Sequence, residues 1–353
     1  MSAASGSTLF LVGLVWEPQR IWADLLVASY GLLGVGLGAA IFLALLFVTG
    51  ARWSDRIRPV AERLIQLLPA GAVGMAIVLI AAPTLYPWTA ADMEFDSSFQ
   101  AVWLTRRFFL LRAVTYLGLW LAMAFLLVRA SRQVGTGGEA RPVGISAGFL
   151  VVFALTGWLA SADWIMSLEP KWSSTVFGVY HFAGMFLSAL AGAIVVAFWL
   201  DRRGSLATPL TRDHWRDLGT LLFAFSSFWM YIWFCQYLLI WYVNTPDETD
   251  YLVLRHREIW QPLFFASLVL NWCVPFLVLL FRSAKESPLI LLSVAIIVLL
   301  GRALDLYLMV IPTVVDSEAG FVVWDLGVLG GAAIVAAVIL ARRFPRAVKG
   351  EAV

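Results

Sequence analysis

Nine stretches of this chain are each long enough and apolar enough to cross a lipid bilayer, and that feature removes most folds from consideration. A spanning helix needs about 20 mostly apolar residues. The stretches fall at 22–49, 63–86, 107–130, 144–165, 174–200, 215–243, 258–282, 287–312 and 321–342 of a 353-residue chain. Hydrocarbon offers no water to backbone N–H and C=O groups, so such a chain crosses as helices. Composition agrees: 61% of the residues are hydrophobic and 14% charged, against about a quarter charged in a soluble domain. The expected fold is an all-α polytopic membrane protein, a single integral membrane domain over 1–353 with short connections. The first residues, MSAASGSTLFLVGLVWEPQR, lack a basic segment ahead of an apolar core and cleavage site, so no removable signal peptide is expected. The connection around Gly135, Gly137 and Gly138 reads as the most flexible piece.

Charge sets the expected orientation, because lysine and arginine collect in cytoplasmic loops. The segments at 50–64, 129–143, 201–217 and 282–286 and the C-terminus hold most of the 25 basic residues, among them Arg52, Arg141, Arg343, Arg346 and Lys349. The alternate segments are acidic, with Asp92, Glu94, Asp96, Glu169, Glu248, Asp250, Asp316 and Glu318. This predicts an outer N-terminus and a cytoplasmic C-terminus. The acidic outer face suits a basic partner, and it is equally what the insertion rule leaves behind. No basic run interleaved with aromatics is present, so nucleic acid is not an expected partner.

Cys235 and Cys273 are too few for an iron–sulfur cluster, and CxxCH is missing, so covalent haem is not expected. His214 is placed at an inner helix end, His256 in an outer loop and His181 in an outer half, which gives no pair to clamp a haem. Ionisable residues inside spans are costly and point to function by default. The candidates are Arg112, Asp163, His181, Arg302 and Asp305, with Asp24 and Asp325 behind them. Arg112 lies about 8 Å into its helix at 1.5 Å per residue, and the other four also fall in outer halves. This predicts a polar pocket open to the outside, under the loops at 87–106, 166–173 and 244–257. Each group has a plainer reading: a neutralising i,i+3 pair for Arg302 and Asp305, snorkelling for Arg112, a cap for Asp163 and a structural hydrogen bond for His181. Glu169 and Lys171 read as a solvated loop pair. Trp88, Trp172 and Trp260 read as interfacial belt.

The stretch ADWIMSLEPKWSSTVFGVYHFAG at 162–184 resembles the NrfD / polysulfide-reductase-like integral membrane subunits. So do VTGARWS at 48–54, LYPW at 85–88, FFLLRA at 108–113, DLGTLLFAFSSFWMYIWFCQYLLIWYVNTPDET at 217–249, WQPL at 260–263, VPFLVLL at 274–280 and LDLYLMVIP at 304–312. Within that family the chain is most similar to the ActF branch, the second quinone-type subunit of bacterial alternative complex III. The resemblance implies two adjacent four-helix bundles with a flanking helix, in the bacterial cytoplasmic membrane. Such complexes oxidise quinol, possess a homologous sister subunit (ActC), an iron–sulfur subunit and multihaem cytochrome c subunits, and pass electrons to a carrier or terminal oxidase. Haem and iron–sulfur clusters are then expected in those partners, and quinone or menaquinone is the expected ligand. The residues carried by matching motifs are Arg112, Asp163, Glu169, Gln236, Tyr242, Asn244, Glu248 and Asp305. Arg302 stands in GRALDLY where such sequences often carry histidine.

Quinol oxidation releases two protons and two electrons, so a site needs a proton acceptor and a hydrogen-bond partner for the ring oxygens. Asp163, His181 and Asp305, with Arg302 and Arg112, are the candidate relay. Trp164, Tyr180, Gln236, Tyr242 and Tyr307 are the candidate quinone contacts, although aromatics at helical spacing also serve as core. The inner halves offer hydroxyls and few titratable links, which favours an outer half-cavity over a complete channel. The alternatives are a structural scaffold without a quinone role and an independent secondary transporter.

Overall fold

The computed structural model describes residues 15–51, 54–81, 83–90, 93, 95, 97–134, 142–206, 208–257, 259–315 and 323–342. The Gly135–Gly138 connection, Arg52, Asp92, Glu94, Asp96, Arg141, Asp316, Glu318, Arg343, Arg346 and Lys349 lie outside them. Among the described residues there is no strand. Nine helices there are long and apolar enough to cross a membrane: α1 (Pro18–Val48), α2 (Arg56–Ala81), α3 (Arg106–Gln133), α4 (Val143–Leu168), α5 (Phe177–Arg202), α6 (Arg212–Val243), α7 (Gln261–Leu279), α8 (Pro288–Val314) and α9 (Trp324–Ala341). The chain is a multi-pass membrane protein. The one marked departure from the apolar pattern is α2, which runs from Arg56 to Ala81 rather than over 63–86. Its first turns are amphipathic, with Arg56, Arg58, Glu62 and Arg63 among apolar residues, so an apolar window starts too late. At the other end Pro83 and Pro87 begin separate short turns.

α1 and α5 are buried over most of their length and hold the molecule together. α1 packs against α2, α4, α5, α8 and α9, and α5 packs against α1, α2, α4, α6 and α8. Lipid tails are as apolar as leucine, so close approach has to supply the attraction between helices. A Cβ on Gly71 would come within 2.4 Å of the Leu33 backbone, and one on Gly38 within 2.6 Å of the Met185 carbonyl. Only glycine allows α1 to lie this close to α2 and α5. The outward faces of α3, α4 and α6 present Phe125, Leu155 and Trp241, all more than half exposed.

At three of the prolines inside spanning helices, the freed carbonyl receives another donor. Proline has no N–H to give the carbonyl four residues before it. In α8, Pro312 abandons the Leu308 carbonyl, and Arg255 Nε donates to it at 2.9 Å. In α7, Pro275 follows a π-helical turn at Val269–Cys273, and the Asn271 carbonyl accepts from Ser226 Oγ at 2.6 Å. In α2, Pro69 follows a 3₁₀ turn at Ile65–Leu67, in which Leu68 N–H bonds the Ile65 carbonyl. Arg63 performs a related service at the end of α9, donating to the carbonyls of Leu340 at 2.8 Å and Arg342 at 2.5 Å.

Arg255 ends a short helix, Pro246–Arg255, that folds back over the bundle. Besides Leu308 it donates to the carbonyls of Met309 and Tyr251 and to Glu169 Oε1, the last at 2.9 Å. Glu169 therefore pairs with Arg255 and Thr313, not with Lys171, which is exposed. The expected belt tryptophans are also internal: Trp88 and Trp172 are 4% exposed and Trp260 is fully buried. Trp172 lies flat on Tyr251, ring centroids 4.0 Å apart. The loops at this end fold inward over the bundle, so their aromatics meet protein before they meet headgroups.

Arg255→Met should cost about 3 kcal/mol, because it takes a donor from a partly buried carboxylate and from three carbonyls. Lys171→Met should be neutral. Thermal unfolding of the two purified variants in one detergent checks both.

Candidate functional site

The central polar site is built where α5, α6, α7 and α8 meet. Arg302 and Asp305 sit three residues apart on α8, hence on one face. Arg302 Nη1 lies 2.5 Å from Asp305 Oδ2. Tyr180, from α5, donates its hydroxyl to Asp305 Oδ1 at 2.6 Å, and Ser267, from α7, reaches the same oxygen at 3.5 Å. The guanidinium lies over Gly184 of α5, where a Cβ would come within 2.0 Å of Nη2. It also lies 5.5 Å from the centre of the Trp229 ring. Arg302 Nε has no hydrogen-bond partner. The π turn in α7 brings Asn271 against Gly301, one residue from Arg302, and leaves Asn271 Oδ1 unpartnered.

Two cavities adjoin this site. The inner one, about 30 Å³, is lined by Tyr180, Gln236, Tyr251, Arg255, Ser267 and Asp305 among others. It has room for one or two water-sized molecules. The outer one is a cleft of about 360 Å³ between α4, α5 and α6, lined by Trp158, Met166, Val176, Gln236, Leu239 and Glu248 among others. That volume is typical of a small-molecule site. Gln236 lines both, and its buried Oε1 has no partner. Tyr251 walls the inner cavity between Trp172 and Arg255, whose guanidinium lies 3.5 Å from the ring centre. Burial pushes the Tyr251 phenol up to about 12, against the opposing charge of Arg255, so it stays neutral near pH 7.

The other ionisable candidates occupy different places. Asp163, at the end of α4, accepts from Arg112 Nε and Nη2, both at 2.8 Å, from Trp103 Nε1 at 2.7 Å and from the Tyr116 hydroxyl at 3.1 Å. Both its oxygens are filled, and the Arg112 guanidinium is stacked 4.0 Å from the centre of Trp103. Arg112 is thus buried in a bidentate pair and does not snorkel. Asp163 lines neither cavity. The expected shared recess for Asp163, Arg302 and Asp305 is therefore two clusters. Between them lies an aromatic core: Tyr116 and Tyr30 pack on Trp164 at 6.0 and 6.3 Å, and Tyr30 bonds His181 Nδ1 at 3.0 Å. His181 Nε2 has no partner. Trp164 belongs to this core. Tyr242 is 80% exposed and lines neither cavity. Tyr307 bonds Asp325, in a third cluster with Arg20.

Sequence reading missed Arg255, Tyr251, Ser267, Asn271 and Tyr30. Arg255 and Tyr251 lie outside any apolar run, and the one letter that pointed to Arg255 was Pro312, whose orphaned carbonyl needs a donor. Among the described residues no three of His, Cys, Asp and Glu gather as metal ligands.

Arg112→Met should destabilise the protein by about 3–5 kcal/mol, since it leaves a buried carboxylate without its cation. The double variant Arg112→Met with Asp163→Leu should recover part of that loss, as read by thermal unfolding. No family model matches the sequence, and no curated protein matches it significantly.

Proposed function

We propose that this chain is the membrane subunit of a quinol-oxidising electron-transfer complex, of the NrfD / polysulfide-reductase-like kind and closest to its ActF branch. It is not catalytic alone. On this reading it lies in a bacterial cytoplasmic membrane with its N-terminus outside and its C-terminus in the cytoplasm. α1–α4 and α5–α8 form two adjacent four-helix bundles flanked by α9. Partner subunits, a homologous sister, an iron–sulfur protein and multihaem cytochromes, hold the redox centres and hand electrons onward.

The observation that carries the reading is the place of Gln236, whose unpartnered amide oxygen stands where a ligand-sized cleft meets a small cavity ending on Asp305. The cleft suits a quinone head group: Trp158, Met166, Leu239 and Ile240 give it apolar walls beside a polar rim of Ser173, Ser174, Thr175 and Glu248, and Gln236 offers a polar contact to a ring oxygen. The inner cavity is too small for a ring. Quinol, when bound, supplies two electrons and two protons. Gln236 orients the ring hydroxyl, and Trp158, Met166 and Leu239 keep bulk water from it. Asp305 Oδ1 accepts a proton delivered through the inner cavity, with the Tyr180 hydroxyl as the neighbouring donor. Arg302 holds the carboxylate in place. A second reading, a scaffold without a quinone role, draws on Asp163, whose four donors leave it nothing to do but hold α3 to α4.

Quinol turnover by the intact, co-purified complex separates the two. Gln236→Leu should lower kcat/KM for quinol about tenfold or more, since one polar contact is worth about 1–3 kcal/mol. Asp305→Asn should lower kcat. Unchanged turnover in both variants would leave the scaffold, and a chain that purifies without haem-bearing companions would end the complex reading altogether.

A further inference from the structure

The third buried cluster lies where α1, α8 and α9 meet, and the proposed quinol chemistry makes no use of it. Arg20, in the first turn of α1, grips Asp325 of α9 with Nε on Oδ1 and Nη2 on Oδ2, each at 2.8 Å. The Tyr307 hydroxyl, from α8, donates to Oδ2 at 2.7 Å. One turn beyond Arg20, Asp24 lies close enough to Asp325 for the two carboxyls to repel each other. Asp24 is fully buried, and neither of its oxygens has a hydrogen-bond partner.

A buried carboxylate with no donor beside a second carboxylate is a costly arrangement, and such a group takes up a proton to relieve it. Two carboxyls in contact can hold one proton between them, as paired acids do. The charged and titratable groups facing Asp24 are Glu17 and Arg20 on its own helix, Tyr307 on α8 and Asp325 on α9. Arg20 is engaged in a two-point bond with Asp325, whose second oxygen also carries the tyrosine hydroxyl. Beside that cation, a metal ion is a poor occupant. Glu17, the residue that precedes the helix, is exposed and lies seven residues from Asp24, about 10 Å along the axis.

We propose that Asp24 is a proton-binding site: its carboxyl carries one exchangeable proton, donates it in a hydrogen bond to Asp325, and trades it with bulk water. No electron moves. The proton taken from water on loading returns to water on release. While it is bound, the cluster holds one carboxylate against one guanidinium and α9 is held to α1. Once it leaves, two carboxylates face one cation and that contact weakens. The inference does not depend on the quinol reading.

Infrared spectra of the full-length protein in lipid vesicles test it. Near pH 7 the wild type should show the C=O stretch of a protonated carboxylic acid that shifts in deuterated water. Asp24→Asn, which mimics the protonated form in shape and charge, should lack that component, and an unchanged band in this variant overturns the proposal. A second measurement needs no variant. A hydrophobic carbodiimide reacts with protonated carboxyls in apolar surroundings, so peptide mass spectrometry should find the adduct on Asp24, falling several-fold as pH is raised. No adduct on Asp24 at any pH overturns the proposal as well.

Discussion

In hydrocarbon a backbone carbonyl without a donor has no water to turn to, and that penalty shapes this molecule more than any single contact. Pro69, Pro275 and Pro312 each create such a carbonyl, and three devices answer them: a 3₁₀ turn, a serine hydroxyl and an arginine. The arginine has the widest consequences. To reach Leu308, Arg255 needs the Pro246–Arg255 helix folded over the bundle, and that fold brings Tyr251 onto Trp172 and Glu169 onto Thr313. The same rearrangement puts walls around the small cavity below Asp305. A local defect in α8 is thus repaired by a segment that also encloses the candidate site.

The same accounting applies to charge. Each buried arginine among Arg20, Arg112, Arg255 and Arg302 pairs with a carboxylate from its own helix or a neighbouring element. Arg112 and Asp163 are saturated, which suits a rivet between α3 and α4. Arg302 and Asp305 are not: Arg302 Nε is free of partners and Asp305 borders a cavity. Saturation is what separates a structural ion pair from one still able to exchange a proton. A sequence names the charges without revealing which of them are saturated.

The spans were legible because a bilayer-length apolar run is a strong signal, and α3 to α9 stand within a few residues of where hydrophobicity puts them. The start of α2 was not, because its polar face breaks the run. The ionisable residues were visible for the same reason that the spans were: a charge stands out in an apolar background. Their grouping was not visible. Asp163 and Asp305 sit on helices that face different neighbours, and rotation about a helix axis leaves little trace when nearly every face is apolar. Glu169 and Lys171 illustrate the opposite error, since nearness in sequence suggested a pair while the partner stood at position 255. The tryptophans misled because a loop that folds inward carries the same letters as one that lies on a membrane surface.

The ion pair between Arg20 and Asp325 joins residues 305 positions apart. A chain made from its N-terminus delivers Arg20 and Asp24 to the membrane long before Asp325 exists. Through most of synthesis the first helix therefore carries a guanidinium and a carboxyl with no permanent counterpart. Their position in its opening turns lets them wait at the water boundary, and only the arrival of the last helix draws them under cover. Assembly of this protein has a closing step, and a chain truncated before α9 would be left with its first helix unsealed.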